Sequence, residues 1–276
     1  MSSIQLDAPG VEFVDLAGYR MAYRQWGDAT ARRALVLIHG ITSSSLSWVR
    51  VAPRLSATWR VIAVDLKGHG DSDRPAEGYR IEDQAAEVAG LVRELELQDV
   101  SVIGHSWGGR IALYLATRGG LTPRRLVLED PGGLRGHLSP DEQRQQEQSR
   151  AAYVESVGLS EPDARARFQA NLDQGWTPED VAGKVDAAVK GSPAAVRAVF
   201  EANGWGDMAP LLGDLRCPTL LLRAELARGG IVGDEAVRAA EANPLIKVVT
   251  VPDADHNIHR GRFDAFMRIV EPFLEV

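Results

Sequence analysis

The sequence has little of what disulfide-linked, membrane-spanning or nucleic-acid-binding proteins need. Cys217 is the sole cysteine among 276 residues, so no internal disulfide can form, which fits a reducing compartment. No apolar run approaches the roughly 18 residues that cross a membrane, and the first residues lack the basic and apolar stretches of a signal peptide. The formal net charge of −7 disfavours a nucleic-acid partner, which requires a basic face. We therefore expect a soluble, cytoplasmic protein without a membrane or nucleic-acid partner.

Short apolar runs alternate with longer amphipathic segments along most of the chain. This alternation predicts an α/β fold, with a mostly parallel eight-stranded sheet flanked by helices. The pattern breaks between about Gly132 and Gly213, where Ala, Glu, Gln and Arg dominate and Pro and Gly recur. We predict a core domain formed by residues 1–131 and 214–276, with residues 132–213 inserted after strand 6 as a helical cap.

The segment Gly104-His105-Ser106-Trp107-Gly108-Gly109 carries the clearest chemical signal. It follows the apolar run Val100–Ile103 and opens the helical pattern Trp107–Thr117, the context of a G-x-S-x-G nucleophile elbow. A serine on such a turn has a strained backbone, and side chains two residues away on either side would collide with it. We expect Ser106 to be a nucleophile whose hydroxyl stands clear of the sheet.

A second loop, His39-Gly40-Ile41-Thr42, follows the apolar run Ala34–Ile38. In this architecture the loop after that strand supplies one amide of an oxyanion hole, and the residue after the nucleophile supplies the other. We therefore predict that the backbone N–H groups of Ile41 and Trp107 bind the oxyanion. His39 is expected to order the loop.

The motifs HGIT, DLKGHGDSD (Asp65–Asp73), GHSWGG and DADHNIH resemble those of the α/β-hydrolase superfamily in order and spacing, over nearly the whole chain outside the cap. The resemblance implies a catalytic histidine in the loop after the last strand. His256 occupies this place, although Asp255 stands where the family usually has glycine. His259 is the competing histidine, for which a solvated or capping role is expected.

The acid that completes the triad departs from the family's usual pattern. The usual positions after strand 7 hold Ala227 and Arg228, neither of which can orient a histidine. Some family members, among them certain haloalkane dehalogenases and zearalenone-type lactonases, place the acid at the end of strand 6. Glu129 matches that position and is the first candidate, Glu225 is the second, and Asp130 is the third.

The resemblance and the serine nucleophile together predict a carboxylic ester hydrolase, an esterase or lactonase that forms an acyl-enzyme on a small molecule without a cofactor or a metal. Haloalkane dehalogenases and epoxide hydrolases use an aspartate at the elbow and are disfavoured. Amide or carbon–carbon bond hydrolysis, a cofactor-free haloperoxidase activity and a receptor-like protein with little turnover remain alternatives. A homodimer is compatible with the sequence.

Overall fold

The computed structural model describes residues 6–16, 18–137, 139–204 and 206–276. Ala17, Leu138 and Trp205 lie outside these ranges. The eight strands are β1 (Glu12–Leu16), β2 (Tyr19–Trp26), β3 (Ala34–Ile38), β4 (Arg60–Val64), β5 (Ser101–His105), β6 (Leu126–Glu129), β7 (Thr219–Arg223) and β8 (Ile246–Thr250).

All eight strands form one sheet in the order β1-β2-β4-β3-β5-β6-β7-β8. β1 and β2 form an antiparallel hairpin, β2 pairs antiparallel with β4, and every later pair is parallel. This confirms the predicted mostly parallel sheet. The carboxyl ends of the parallel strands meet at one edge, where ligands bind in folds of this class.

The helices fall into two groups, one flanking the sheet and one inserted between β6 and β7. The flanking helices are α1 (Val51–Leu55), α2 (Ile81–Glu94), α3 (Trp107–Thr117), α9 (Asp234–Glu241), α10 (Ile258–Gly261) and α11 (Phe263–Glu275). The inserted helices are α4 (Pro140–Val154), α5 (Glu161–Phe168), α6 (Pro178–Lys190), α7 (Pro193–Asn203) and α8 (Ala209–Leu212).

Apolar side chains cover both faces of the sheet. On one face they pack against α2, α3 and α9, and on the other against α1 and α11. β6 shows the division within a single strand, because Leu126 and Leu128 join the first cluster and Val127 joins the second. This period of two decides which side each residue at the strand's end faces.

The inserted segment builds helices from local signals that are visible in its sequence. Ser139, Ser160, Thr177 and Ser192 accept a hydrogen bond from the backbone three residues on, and proline follows each of them in the first turn. The division into core and cap at residues 132 and 213 stays a prediction. Within the described ranges no helix combines the length and the apolarity that a bilayer crossing requires.

Candidate active site

The turn between β5 and α3 holds Ser106 in a strained conformation. Its φ is 54° and its ψ is −113°, a backbone geometry that side-chain-bearing residues rarely adopt. A Cβ on Gly104 would lie 2.4 Å from the Gly108 carbonyl oxygen, and one on Gly108 would lie 2.3 Å from that of Ile38. Only glycine fits at these two positions, as the elbow motif predicts.

A continuous chain of hydrogen bonds links Ser106, His256 and Asp130. Ser106 Oγ lies 2.8 Å from His256 Nε2, and His256 Nδ1 lies 2.7 Å from Asp130 Oδ2. Because a carboxylate only accepts, Nδ1 carries the hydrogen and Nε2 is free to take the serine proton. His256 stands in the loop after β8, where the sequence placed it.

Opposing effects act on the His256 ring. Burial by itself lowers its pKa, but the hydrogen bond and the charge of Asp130 outweigh burial, and Glu129 and Asp255 add to them. The net result is a pKa above the ordinary value of histidine. Such a ring is a stronger base towards the serine hydroxyl than an isolated histidine in the same pocket.

Asp130 is fixed by the backbone around it. It is the first residue after β6, has a φ of 37° and is completely buried. Its carboxylate accepts hydrogen bonds from the amides of Ala224 at 3.3 Å and Ile231 at 3.0 Å, in addition to the His256 ring. A buried carboxylate with three N–H donors is satisfied and rigidly placed.

The structure does not bring Glu129 or Glu225 to His256, which corrects the first two choices for the acid. Successive side chains of β6 point to opposite faces, so Glu129 faces away from the triad. Its Oε1 accepts from the backbone amide of His259 at 2.9 Å and from the ring Nδ1 at 2.8 Å. Glu225 is half-exposed and lies 3.5 Å from Arg228.

His259 is completely enclosed rather than solvated. Besides its bonds to Glu129, its Nε2 lies 3.1 Å from Ser47 Oγ, and its ring stacks on Trp48 with the centroids 4.6 Å apart. Burial lowers its pKa well below the ordinary value. The expectation that His259 is a solvated or capping residue is therefore wrong, because its side chain is buried and attaches α10 to the sheet.

The two residues whose amides are predicted to form the oxyanion hole lie beside the nucleophile. Trp107 is the first residue of α3, so its N–H belongs to the first turn, which has no acceptor within the helix. Ile41 and Trp107 line a cavity together with Ser106. Gly40 brings the first loop close, since a Cβ there would lie 3.3 Å from Ser106 Cβ. Their oxyanion role stays a prediction.

His39 and Asp65 stabilise the loops around the site. His39 Nε2 accepts from the Leu66 amide at 3.0 Å, and Asp65 accepts from the amides of Ser45 and Asp71 at 2.6 and 2.9 Å. These are structural contacts, and for His39 they agree with the expected ordering of its loop.

Two cavities meet at Ser106. The first, called the Phe200 cavity after its apolar wall, has a volume of about 210 Å³ and is walled by Phe200, Val199 and Tyr153. The second, called the Arg260 cavity, has a volume of about 460 Å³ and reaches from Ser106 and His256 to Arg260. Ile41, Ser106, Ser149 and Tyr153 line both cavities.

The inserted helices supply part of each cavity wall. The sequence offers four cap residues as candidates for the pocket lining, Trp176, Phe200, Trp205 and Met208. Of these, Phe200 lines the first cavity and Trp176 the second, whereas Met208 packs in the main apolar cluster. Trp205, also singled out, lies outside the described residues. A long polar helix, α4, contributes Gln145, Gln146, Ser149 and Tyr153 to the Phe200 cavity.

One group of side chains has the residue types of a metal site. The ligand atoms of His105, Glu129 and His259 lie within 4.8 Å of one another, and all three residues are buried. However, Glu129 already binds His259, whose other ring nitrogen lies beside Ser47, and His105 Nε2 lies 2.8 Å from the His256 carbonyl oxygen. His105 Nδ1 and Glu129 Oε2 have no hydrogen-bond partner among the described residues, but both ring nitrogens of His259 are engaged. A metal ion would have to displace one of the two His259 bonds, so we interpret the group as a structural hydrogen-bonded cluster.

The sheet order, the strained elbow and the Ser106–His256–Asp130 arrangement define the α/β-hydrolase class. In agreement, the family model described as the alpha/beta hydrolase family matches residues 35–269. The chain belongs to this family.

Two relatives are similar over almost the whole chain. An N-formylmaleamate deformylase of Pseudomonas putida is 32% identical over 270 residues, which cover 95% of each protein. A 2-(acetamidomethylene)succinate hydrolase of Mesorhizobium japonicum is 26% identical over 274 residues, 95% of this chain and 94% of the relative. A crystal structure of E-2-(acetamidomethylene)succinate hydrolase matches with a TM-score of 0.81 and 25% identity, covering 96% of this chain and 99% of the other.

Proposed function

We propose that this protein is a serine hydrolase that transfers the acyl group of a small carboxylic acid derivative to water. The single observation that carries the proposal is the hydrogen-bonded chain from Ser106 Oγ through His256 to Asp130. Ser106 attacks the carbonyl carbon, His256 Nε2 takes the hydroxyl proton, and Asp130 stabilises the imidazolium that forms. His256 then gives the proton to the leaving group, which departs and leaves an acyl-enzyme.

The second half of the reaction uses the same groups with water as the nucleophile. His256 takes a proton from water, which attacks the acyl carbon, and the proton then returns to Ser106 Oγ as the acid product leaves. In both halves the negative charge that develops on the carbonyl oxygen faces the amides of Ile41 and Trp107 and the N-terminus of α3.

The chemistry of the site suits esters and lactones, and N-acyl amides are a second candidate class. The same serine attack opens all three, and they differ in the leaving group that His256 must protonate. The two relatives that match almost the whole chain favour amides. One is named as a deformylase of an N-formyl compound and the other as a hydrolase of an acetamido compound, and both compounds contain an N-acyl bond. We therefore propose amide hydrolysis beside the ester or lactone hydrolysis expected from the sequence.

A receptor-like role is an alternative mainly because the usual positions of the acid, Ala227 and Arg228, carry no carboxylate. Asp130 now stands where the ring of His256 needs its acid, so this argument for lost turnover falls away. The complete set of groups supports an enzyme.

The proposal is tested by labelling and by turnover. A fluorophosphonate probe should label the parent protein at Ser106, and the folded Ser106→Ala variant should lose labelling and turnover together. Loss of the nucleophile in such triads costs on the order of a million-fold in kcat. A panel of p-nitrophenyl esters, lactones and N-formyl or N-acetyl amides measures turnover. Undiminished labelling or hydrolysis by Ser106→Ala would refute the proposal.

A further inference from the structure

The Arg260 cavity beside the triad carries strong positive charge. Its lining includes Arg167, Lys184 and Arg260 together with Ser106 and His256. Among the described residues that line it there is no aspartate or glutamate. This is unexpected in a chain of net charge −7, because random placement would bring acidic side chains to a cavity of about 460 Å³.

Lys184 and Arg260 are buried, with exposed fractions of 7% and 2%. Their hydrogen bonds go to neutral oxygens. Lys184 Nζ donates to the carbonyl and hydroxyl oxygens of Thr42 at 2.6 and 2.7 Å, and Arg260 Nη2 donates to the hydroxyls of Ser43 and Ser47 at 3.2 and 2.9 Å. Arg260 Nε is buried and has no hydrogen-bond partner in the described part of the chain.

The carboxylates that interact electrostatically with Arg260 are hydrogen-bonded to other residues. Asp180, Glu129 and Asp255 all act electrostatically on Arg260. Asp255 accepts a hydrogen bond from the backbone amide of Asn257 at 2.8 Å. Asp180 forms its ion pair with Arg50 at 2.8 Å, and Glu129 binds His259. Within the described ranges, neither the Lys184 nor the Arg260 head group has a carboxylate oxygen within ion-pair distance.

Two buried cations without counter-ions are costly for a folded protein, because burial removes their hydration and each repels the other. Burial, with the charges of Arg260 and Arg167, lowers the pKa of Lys184 to about 7. Such a cost is expected at a site whose missing partner is a ligand. A carboxylate fits the planar donors of Arg260 and the point charge of Lys184.

We propose that the Arg260 cavity binds a free carboxylate of the substrate, so that the enzyme acts on small acids that also carry the hydrolysable acyl group. This inference rests on the proposed hydrolase function and names its substrate class. Lys184 and Arg260 hold the anion from the buried end of the cavity, while Arg167, which is exposed, lies at its outer edge. The scissile carbonyl is thereby placed over Ser106.

Two substrates of nearly equal shape test the proposal. The p-nitrophenyl ester of succinic acid, with one free carboxylate, is compared with p-nitrophenyl 4-methylpentanoate, in which an isopropyl group replaces that carboxylate. A charge-assisted hydrogen bond to the free carboxylate typically favours the acid over the neutral ester by about ten- to a hundred-fold. We expect kcat/KM to be at least about thirty-fold higher for the acid, through a lower KM. Equal values with Ser106-dependent turnover would overturn the inference and leave the hydrolase proposal standing.

Variants then locate the carboxylate. Lys184→Met keeps the side-chain length and should reduce the preference for the acid by about ten-fold or more, while the neutral ester changes much less. Lys190→Met is the matched control, because Lys190 lies on the same helix outside the cavity and carries the same charge. It should leave the preference unchanged. Equal loss in both variants would indicate a long-range charge effect and refute the assignment.

Binding separates the two proposals from each other. Titration calorimetry of Ser106→Ala with succinate, and with inorganic phosphate as a second anion, needs no turnover. Succinate should bind and Lys184→Met in the same background should weaken it about ten-fold. Succinate binding without hydrolysis of any substrate would keep the carboxylate site and refute the hydrolase proposal. Tighter binding of phosphate than of succinate would overturn the carboxylate assignment.

Discussion

Replacing Asp130 by asparagine tests the triad at its least expected member. The carboxylate receives three N–H donors on two oxygens, from His256, Ile231 and Ala224. An amide has a single accepting oxygen, so its NH₂ group must face at least one of these donors. If the asparagine oxygen takes the place of Oδ2 and its NH₂ group faces Ala224, only the 3.3 Å hydrogen bond is lost. This orientation keeps the histidine tautomer but removes the charge that stabilises the imidazolium.

The magnitude is bounded by a comparable triad, in which an acid-to-amide change also leaves the histidine in the wrong tautomer. That change costs about ten-thousand-fold in kcat, or roughly 5 kcal/mol of transition-state stabilisation. Because Asp130→Asn can keep the tautomer and lose only the charge, we expect a loss of at least about a hundred-fold and at most about ten-thousand-fold. Asparagine tolerates the left-handed φ of 37°, so the backbone should hold. Circular dichroism and thermal melting verify the fold, and steady-state hydrolysis gives kcat.

Glu129→Gln is the matched control, since it makes the same chemical change one residue earlier. Glu129 Oε1 accepts both bonds from His259, and Oε2 has no partner in the described structure, so the amide nitrogen can take the place of Oε2. The loss in kcat should stay within about ten-fold because Glu129 touches neither Ser106 nor His256. A folded Asp130→Asn enzyme with near-normal turnover, beside an inactive Glu129→Gln, would refute the reasoning and return the role to Glu129.

Two further predictions concern histidine and pH. His256→Ala should lose nearly as much turnover as removal of the nucleophile, whereas His259→Ala should mainly lower the melting temperature; the reverse pattern would mean that the base is misassigned. His256 must be neutral to accept a proton, and its pKa is raised, so kcat/KM for a neutral ester should rise with pH along a limb centred above 6.5. For an acid substrate, KM should also increase above about pH 7 as Lys184 loses its proton, and a flat KM would contradict the role of Lys184.

The elements that the sequence predicted are those specified by local patterns. Ser106 is marked by its glycines and by the strand and helix on either side, and His256 by its place after the last strand. The end of strand 6 by itself favours Glu129 over Asp130, and only the side-chain alternation along the strand favours Asp130. Leu126 and Leu128 share a face, and continuing that period places Asp130 on it and Glu129 on the other. That signal was present in the sequence.

The Arg260 cavity could not be predicted in the same way. Lys184 lies on α6, Arg260 on α10 and Thr42 in the loop after β3, so the contacts join segments more than 70 residues apart. Each cation alone is an ordinary charged residue in an amphipathic segment. Their burial, and the lack of an ion-pair partner or an acidic cavity-lining residue among the described residues, are properties of the packed protein only.

The helix α4 has a consequence for how substrate reaches the nucleophile. None of its 15 residues is buried, although it forms one wall of the Phe200 cavity. Its contacts to the rest include the ring of Tyr153, 5.8 Å from that of Phe200, and the guanidinium of Arg150 over the same Phe200 ring. Displacing a helix without a fully buried residue exposes less apolar surface than opening the sheet, so we expect its opening free energy to lie below that of global unfolding. The buried strands that carry Ser106 and Asp130 are expected to open only at a free energy close to that of global unfolding. We therefore expect substrate and product to pass through transient opening at α4 while the catalytic geometry stays assembled.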